Sequence, residues 1–279
     1  MGKEIFIGWW NAEKLFDIDG HQNRTDWLAK RIKNELEGWT ADKLALKLNR
    51  LSAVIAEMNN GFGPDILGLC EVESPSVLDK LLEYLSPLGR SYKIAISSGA
   101  DKRGIDVAFL YDQEVVDIEK DPSGKDLIFS HRIQKRSPTR DLLQINFVSK
   151  AGNPLIVIGN HWPSRRPSEL ETEPYRYIAG ETLSYFIDRI TEIRGDIAIV
   201  VLGDFNDEPF SRSITKHALS TNDKDKVASD RVRLNYLYNL MWGLKGKNMG
   251  TYVYHNNWYM LDPVPYTHLT LPTKREDGS

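Results

Sequence analysis

The chain is poor in several things, and each shortage closes off a class of protein. One of its 279 residues is cysteine, Cys70, so there is no disulfide framework and no thiolate cluster for a structural metal. No apolar run approaches the ~20 residues that span a bilayer. The opening Met1-Gly2-Lys3-Glu4 leads straight into a strand-like run without a signal peptide. A soluble chain is expected, in the cytoplasm or secreted after removal of a signal peptide. Net charge is −3, so no global basic field advertises tight non-enzymatic DNA binding, although an enzyme that touches a few phosphates needs none. G-x-S-x-G, Walker A, H-E-x-x-H and G-x-G-x-x-G are all missing. Their absence removes the acyl-transfer, P-loop, zincin and dinucleotide-binding readings.

What is present is enough to build a core. Apolar residues make up 41%, with 7 Trp and 12 Tyr, ample for one large domain. Ile5 to Trp10 reads as a strand followed by polar Asn11-Ala12-Glu13. From Thr40, an N-cap, Leu44, Leu48, Leu51, Ile55 and Met58 recur at helical spacing until Gly61-Phe62-Gly63-Pro64 stops them. Ile66 to Val72 reads as a strand ending beside Glu71 and Glu73. Ser74-Pro75 then opens a helix with Val77, Leu78, Leu81, Leu82 and Leu85 on its apolar face. Tyr92 to Ile96 and Ile105 to Tyr111 read as strands around a turn at residues 99–104. Leu142 to Val148 and Leu155 to Gly159 read as a hairpin across Gly152-Asn153-Pro154. Glu171 to Arg194 reads as a helix with Ile178, Phe186, Ile190 and Ile193 inward, feeding the strand Ile199-Val200-Val201-Leu202. Strands interleaved with helices and hairpins, with no repeat or linker, predict a single mixed α/β domain.

Polar residues gather at the ends of these strands. Asp204 and Asn206 end the most apolar one two residues apart, so on extended backbone they share a side while Phe205 points away. The bland reading is a polar turn, and from the strand alone the two readings weigh equally. Asn11 and Glu13, Glu71, His161 and Asp262 follow other strands. Singly, each has an ordinary explanation: Asn11 capping a turn, Glu71 a solvated charge, His161 a satisfied core histidine, Asp262 a turn before Pro263, Arg165 and Arg166 a solvated loop. Together they sit where open α/β sheets collect active-site loops. An oxygen-rich inventory with one histidine suits Mg2+ or another hard cation rather than Zn2+. A hard cation beside His and Asn suits metal-assisted hydrolysis of a phosphate ester. Cys70, within Ile66-Leu67-Gly68-Leu69-Cys70, reads as a small buried hydrophobe.

Six segments resemble, in order, the successive motifs of the endonuclease/exonuclease/phosphatase family. They are Trp10-Asn11-Ala12-Glu13-Lys14-Leu15-Phe16-Asp17, Ile66-Leu67-Gly68-Leu69-Cys70-Glu71-Val72-Glu73, Arg103-Gly104-Ile105-Asp106-Val107-Ala108, Thr139-Arg140-Asp141, Gly159-Asn160-His161-Trp162-Pro163-Ser164-Arg165 and Gly203-Asp204-Phe205-Asn206. The resemblance implies a four-layer α/β sandwich, two mixed sheets packed face to face with helices outside, in one domain over residues 3–262. It implies Mg2+, with Mn2+ or Ca2+ as alternatives, bound by Glu71 with Glu13 beside it. His161 would hydrogen-bond the scissile phosphate, Asp204 would orient or deprotonate the attacking water, and Asn206 would bind a phosphate oxygen. Asp262 joins the implied catalytic set, and Asn11, Arg140 and Arg165 are implied substrate contacts. The implied partner is a nucleic acid or another phosphodiester.

The chain departs from the family's pattern at its end. There the aspartate matching Asp262 sits in a Ser-Asp-His motif on a final strand, orienting the histidine and serving the metal. Here Asp262 is followed by Pro263-Val264-Pro265-Tyr266-Thr267-His268, and no Ser-Asp-His occurs. Three prolines in ten residues argue against an interior strand. Residues 263–279 are therefore expected to be a non-native tail, with His268 carrying no catalytic role. Three functions stay open. One is a Mg2+-dependent nuclease, with Trp9, Trp10, Trp162 and Trp258 near the strand ends to stack on bases or else to pack the core. Another is the same chemistry on a lipid head group or small phosphate ester. The third is an inactive member serving as a binding module, which the missing terminal motif favours.

Overall fold

The computed structural model describes residues 4–22, 24–97, 104–134, 139–166, 168–228, 234–244, 249–254, 256–262 and 264–266. Strand β1 (Ile7–Leu15) lies parallel to β2 (Ile66–Val72), and β3 (Tyr92–Ile96) and β4 (Asp106–Asp112) complete a mixed four-stranded sheet in the order β1-β2-β4-β3. Helices α1 (Asp26–Leu36), α2 (Ala41–Gly61) and α3 (Pro75–Leu85) lie in the connections between these strands. Thr40 caps α2 as its spacing predicts, accepting from the Lys43 N–H, and Asn59 and Asn60 end the helix in left-handed backbone. Helix α1 lies outside every pattern read from the sequence, although Thr25 accepts from the Leu28 N–H as an ordinary N-cap.

The second sheet is larger. It holds β5 (Val116–Ile118), β6 (Ile128–His131), β7 (Leu142–Ser149), β8 (Pro154–His161), β9 (Ala198–Asp204), β10 (Ser220–Thr221) and β11 (Leu237–Asn239). β12 (Tyr252–Tyr254) and β13 (Asn257–Tyr259) pair only with each other. After them β14 (Pro265–Tyr266) enters the large sheet between β11 and β9. This corrects the expectation that no strand follows Asp262. Pro265 opens the strand, a position where its missing N–H is tolerated. The rest of the expected tail, Pro263 and residues 267–279 with His268, lies outside the described residues, as do residues 99–103 of the expected turn.

Helix α4 (Glu169–Arg194) covers the outer face of the large sheet. Its buried side chains include Arg176, Ala179, Leu183, Ser184, Ile187 and Ile190, whereas Ile193, expected inward, is 79% exposed. The inward face is partly made of small residues, which hid it from a reading that followed the bulky ones. Gly180 is one of them: a Cβ there would lie 2.6 Å from the Ser213 carbonyl oxygen, so glycine lets that segment pack against the helix.

Period-two alternation explains the layers. In β2 and β4, Leu67, Leu69, Ala108 and Leu110 face α2 and α3, where they meet Leu48, Ile55, Leu78 and Leu81. Ile66, Cys70, Val107 and Phe109 face the other way and meet Val157, Leu155, Val200 and Leu202 of the large sheet. Outward again, Ile156, Ile158, Ile199 and Val201 meet α4. The order is therefore helices, sheet, sheet, helix, the expected four-layer sandwich. Each fully buried aliphatic or aromatic side chain contributes roughly 1.5–3 kcal/mol. Gly68 belongs to the inner face and must be glycine, because a Cβ there would overlap the Trp9 and Phe109 rings.

Candidate active site

The same alternation builds the site. Ile7 and Trp9 pack on the inter-sheet core, so Asn11 is the next inward position on β1. Cys70 follows Ile66 and Gly68 on β2, His161 follows Leu155, Val157 and Gly159 on β8, and Asp204 follows Val200 and Leu202 on β9. The register pairs Asn11 with Cys70 and His161 with Asp204. Four strands from two sheets thus end on inward polar side chains at one end of the cleft.

Glu71 should point the wrong way, toward the helices. A bulge corrects this: β2 shifts register between Cys70 and Val72, and Glu71 has φ +62°. β1 breaks step at the same level, with Glu13 and Lys14 at φ +50° and +60°. Left-handed backbone at such residues costs on the order of 1–3 kcal/mol and collects at functional sites. Its result is that the Lys14 N–H holds Glu71 Oε2 at 3.0 Å while Glu71 Oε1 comes within 3.6 Å of His161 Nε2. Lys47, reaching over from α2, donates to the Glu13 carbonyl at 2.5 Å and steadies the bulge. Burial lowers the Lys47 pKa, against the pull of Glu13 and Glu71.

Asp204 is held from two sides. Asn11 Nδ2 donates to its Oδ2 at 3.1 Å and the Asn206 N–H to its Oδ1 at 3.0 Å, while His161 Nε2 stands 3.9 Å from Oδ2. Asn206 adopts φ +51° and donates from Nδ2 to the Trp162 carbonyl at 3.1 Å. Phe205, pointing outward, packs edge-on against Trp162 at 4.7 Å between ring centres. The Phe205 N–H bonds the Leu261 carbonyl at 2.9 Å, which ties the segment bearing Asp262 to the site.

Charge is unbalanced here. Burial pushes the Asp204 carboxyl up to about 6; the Asn206 N–H and Asn11 oppose the rise and Glu71 adds to it. Burial and the neighbouring Asp204 push Asp262 up to about 7, against Thr251 and Trp9. Asp262 Oδ1 is buried without a hydrogen-bond donor among the described residues. A buried carboxylate oxygen with no donor, beside a second carboxylate, suits a hard divalent cation. Asp262, whose pKa the charge of Asp204 raises, and Glu71, which raises that of Asp204, are the oxygen donors that could hold one. Glu13 is exposed and brings only its backbone to the site.

The two arginines expected at the substrate are turned inward. Arg140 is buried, with Nε and Nη2 donating to the His161 and Trp162 carbonyls at 3.0 and 2.7 Å. Arg165 donates from Nε to the Asn206 carbonyl at 2.8 Å and pairs with Asp207 at 3.2 Å. Asp207 also pairs with the fully buried Arg176 at 2.8 Å and accepts from Ser213 at 2.5 Å. Both arginines therefore brace the loops that carry His161 and Asn206. Arg176, Asp207 and Lys47 were missed in sequence, where nothing marks a helix residue or an Asn-Asp-Glu turn as support. Cys70 was read as core, and it is fully buried. Its thiol nevertheless sits among ligands: Cys70, His161 and Asp204 offer donor atoms within 4.8 Å of one another. Burial, then the charges of Asp204, Asp262 and Glu71, push the thiol well up.

Comparison with known proteins agrees with this architecture. The chain superposes on the human Nocturnin catalytic domain with a TM-score of 0.54 at 18% identity, covering 79% of this chain and 75% of that one. A humanized Danio rerio TDP2 gives 0.56 at 16% identity over 96% and 85%. A mannosyl-6-phosphatase of Bacteroides thetaiotaomicron gives 0.57 at 13% over 95% and 85%. At such identities the likeness is one of fold. No curated protein sequence matches the chain. Among the described residues no helix is long and apolar enough to cross a membrane. The sequence profile of the endonuclease/exonuclease/phosphatase family matches residues 6–275, spanning all the strands that carry the site, and the chain belongs to that family of phosphoric ester hydrolases.

Proposed function

We propose that this chain is a divalent-cation-dependent phosphodiesterase that cleaves nucleic acid by attack of water on the phosphate. The observation that carries the reading is the approach of Glu71 and Asp204 to His161, with Asp204 acting on Asp262 by charge and both aspartates pushed toward neutrality by burial. Glu71 and Asp262 would hold Mg2+, or Mn2+ or Ca2+ in its place. The cation supplies Lewis-acid polarisation of the phosphoryl oxygens.

The protein's own groups do the rest. Asp204, with a pKa of about 6, is matched to take a proton from water near neutral pH. Asn11 and the Asn206 N–H fix its two oxygens, so the carboxylate needs no reorganisation when the proton moves. His161 Nε2, between Glu71 and Asp204, could donate to a phosphate oxygen. The Asn11 and Asn206 side chains stand beside it. Trp258 is 54% exposed and available to stack on a base, whereas Trp162 is fully buried and packs the core.

Hydrolysis of plasmid DNA, RNA and bis-(p-nitrophenyl) phosphate with Mg2+, then with a chelator, tests the proposal. Mg2+-dependent cleavage of DNA or RNA is expected. Cleavage of the small diester with no cleavage of polynucleotide would move the substrate to a lipid head group or small ester. Turnover that survives chelation would overturn the metal-assisted reading.

A further inference from the structure

The floor of the site mixes two kinds of ligand chemistry. Its rim is oxygen, from Glu71, Asp204 and Asp262. Its base holds the Cys70 thiol and the His161 imidazole, contributed by strands of opposite sheets. We propose that Cys70, His161 and Asp204 form a binding site for a thiophilic divalent cation of the zinc and cadmium class, distinguished by its thiol and imidazole from the all-oxygen donors suited to Mg2+.

The three side chains are inward positions on β2, β8 and β9, and the β8–β9 register sets His161 directly beside Asp204. Their donor atoms lie within 4.8 Å of one another. With metal–sulfur and metal–nitrogen bonds of about 2.3 and 2.0 Å, the edges of a tetrahedral site are roughly 3.5 Å. Closing the triangle therefore takes side-chain shifts of about 1 Å. A solvent molecule supplies the fourth donor, as in open tetrahedral sites. Sulfur, nitrogen and carboxylate oxygen in fourfold array are the set that Zn2+ and Cd2+ prefer, while Mg2+ demands six oxygens and takes no thiol. As the metal–sulfur bond forms, the thiol proton leaves to solvent. Metal at this position occupies His161 and Asp204, so it blocks hydrolysis; that clause alone rests on the proposed function.

Because Cys70 is the only cysteine in the chain, any cadmium–thiolate absorption reports this residue. The full chain is titrated with Cd2+ and followed by sulfur-to-metal charge-transfer absorption in the ultraviolet. One equivalent of absorbing complex is expected, persisting in excess Mg2+ and absent in both Cys70→Ser and Cys70→Ala. Inhibition by Zn2+ is measured against each variant's own Mg2+-supported rate. The half-inhibiting concentration should rise by more than about tenfold in either variant, since even outer-shell changes cost that much in metal affinity. Wild-type protein with no charge-transfer band, or with a band that Mg2+ abolishes, overturns the proposal without any variant having to fold. A stoichiometric band on a chain that hydrolyses no phosphate ester would instead uphold the site and sink the phosphodiesterase reading.

Discussion

Two groups of acids, Asp17 with Glu73 and Asp204 with Asp262, behave in opposite ways. Asp17, fully buried just beyond β1, is gripped by Lys80, accepts from Ser76 at 3.1 Å and lies 3.3 Å from His21. Burial pushes its carboxyl up, but Lys80, the Ile18 N–H and Ser76 together outweigh it and bring the pKa down. Its neighbour Glu73 is likewise held by Arg24 at 2.5 Å. Asp204 and Asp262 have no such cation among the described residues, and burial raises theirs to about 6 and about 7. One cluster carries its own positive charge and is finished by folding. The other is left with uncompensated acid, which is the difference between a brace and a candidate site. His21 and Ser76 beside Asp17 look like a hydrolase triad in composition only, because the same His21 Nε2 meets both Ser76, at 2.9 Å, and Asp17.

The sharpest way to break this comparison is to remove each acid. Asp204→Ala should lower the Mg2+-supported rate by about 10³-fold, within the range for a general base, and leave the melting temperature unchanged or raised. A variant that retains most of its rate would end the assignment of Asp204 as the proton acceptor.

The second test is pH. Asp204 and Asp262 have folded pKa values above the ordinary carboxylate value of 3.8. Their protonation therefore favours the fold fully below that value, and the contribution is lost as pH rises through about 6 to 7. In chelator the protein should lose stability on the order of 3 kcal/mol between about pH 5 and pH 8. Mg2+ should restore most of it at the higher pH and little at the lower. Melting curves that show the same Mg2+ effect at both ends would mean the acids do not face the cation.

Asp17→Ala should instead leave chemistry intact and destabilise by about 2 kcal/mol, less than a fully buried pair because Lys80 is one-third exposed. The sign is opposite to that of the site. Asp17 has a depressed pKa, so its stabilisation is present above the ordinary carboxylate value and disappears as pH falls through the folded one. The gap between wild type and variant in urea melts should therefore close in acid; a gap that widens in acid would contradict the pairing. The smallest effect belongs to Lys47→Met, which frees the Glu13 carbonyl and loosens the turn that aims Glu71. The Mg2+ concentration for half-maximal rate should rise roughly 3-fold, and a lower rate at saturating Mg2+ with no such shift would place Lys47 on the substrate instead.

The site was legible in sequence wherever strand period alone decides direction. Asp204 and His161 read as strand exits from the apolar runs before them, and the alternation of those runs turns both toward the space between the sheets. Glu71 was found by residue type, but its true direction depends on a bulge that no spacing announces. Arg140 and Arg165 have the right chemistry for phosphate, yet both are spent on carbonyls of the loops they brace. Cys70 reads as apolar filler because its partners come from the other sheet. In the fold, α1 was missed although its cap is ordinary, and Ile193 was set inward because α4 buries Ala179, Gly180 and Ser184 in place of bulky residues. β14 was argued away by its prolines, and the sheet accepts it because Pro265 stands at its first position.

By itself the sequence determined the local facts: which segments extend or coil, which residues share a face, which chemistry ends each strand. These depend on period and propensity, which act over a few residues. Only the tertiary structure decided the balance of charge. Whether a carboxylate is a brace or a ligand depends on what stands within a few ångströms of it, and Lys80 beside Asp17 or Asp262 beside Asp204 are neighbours through space rather than along the chain.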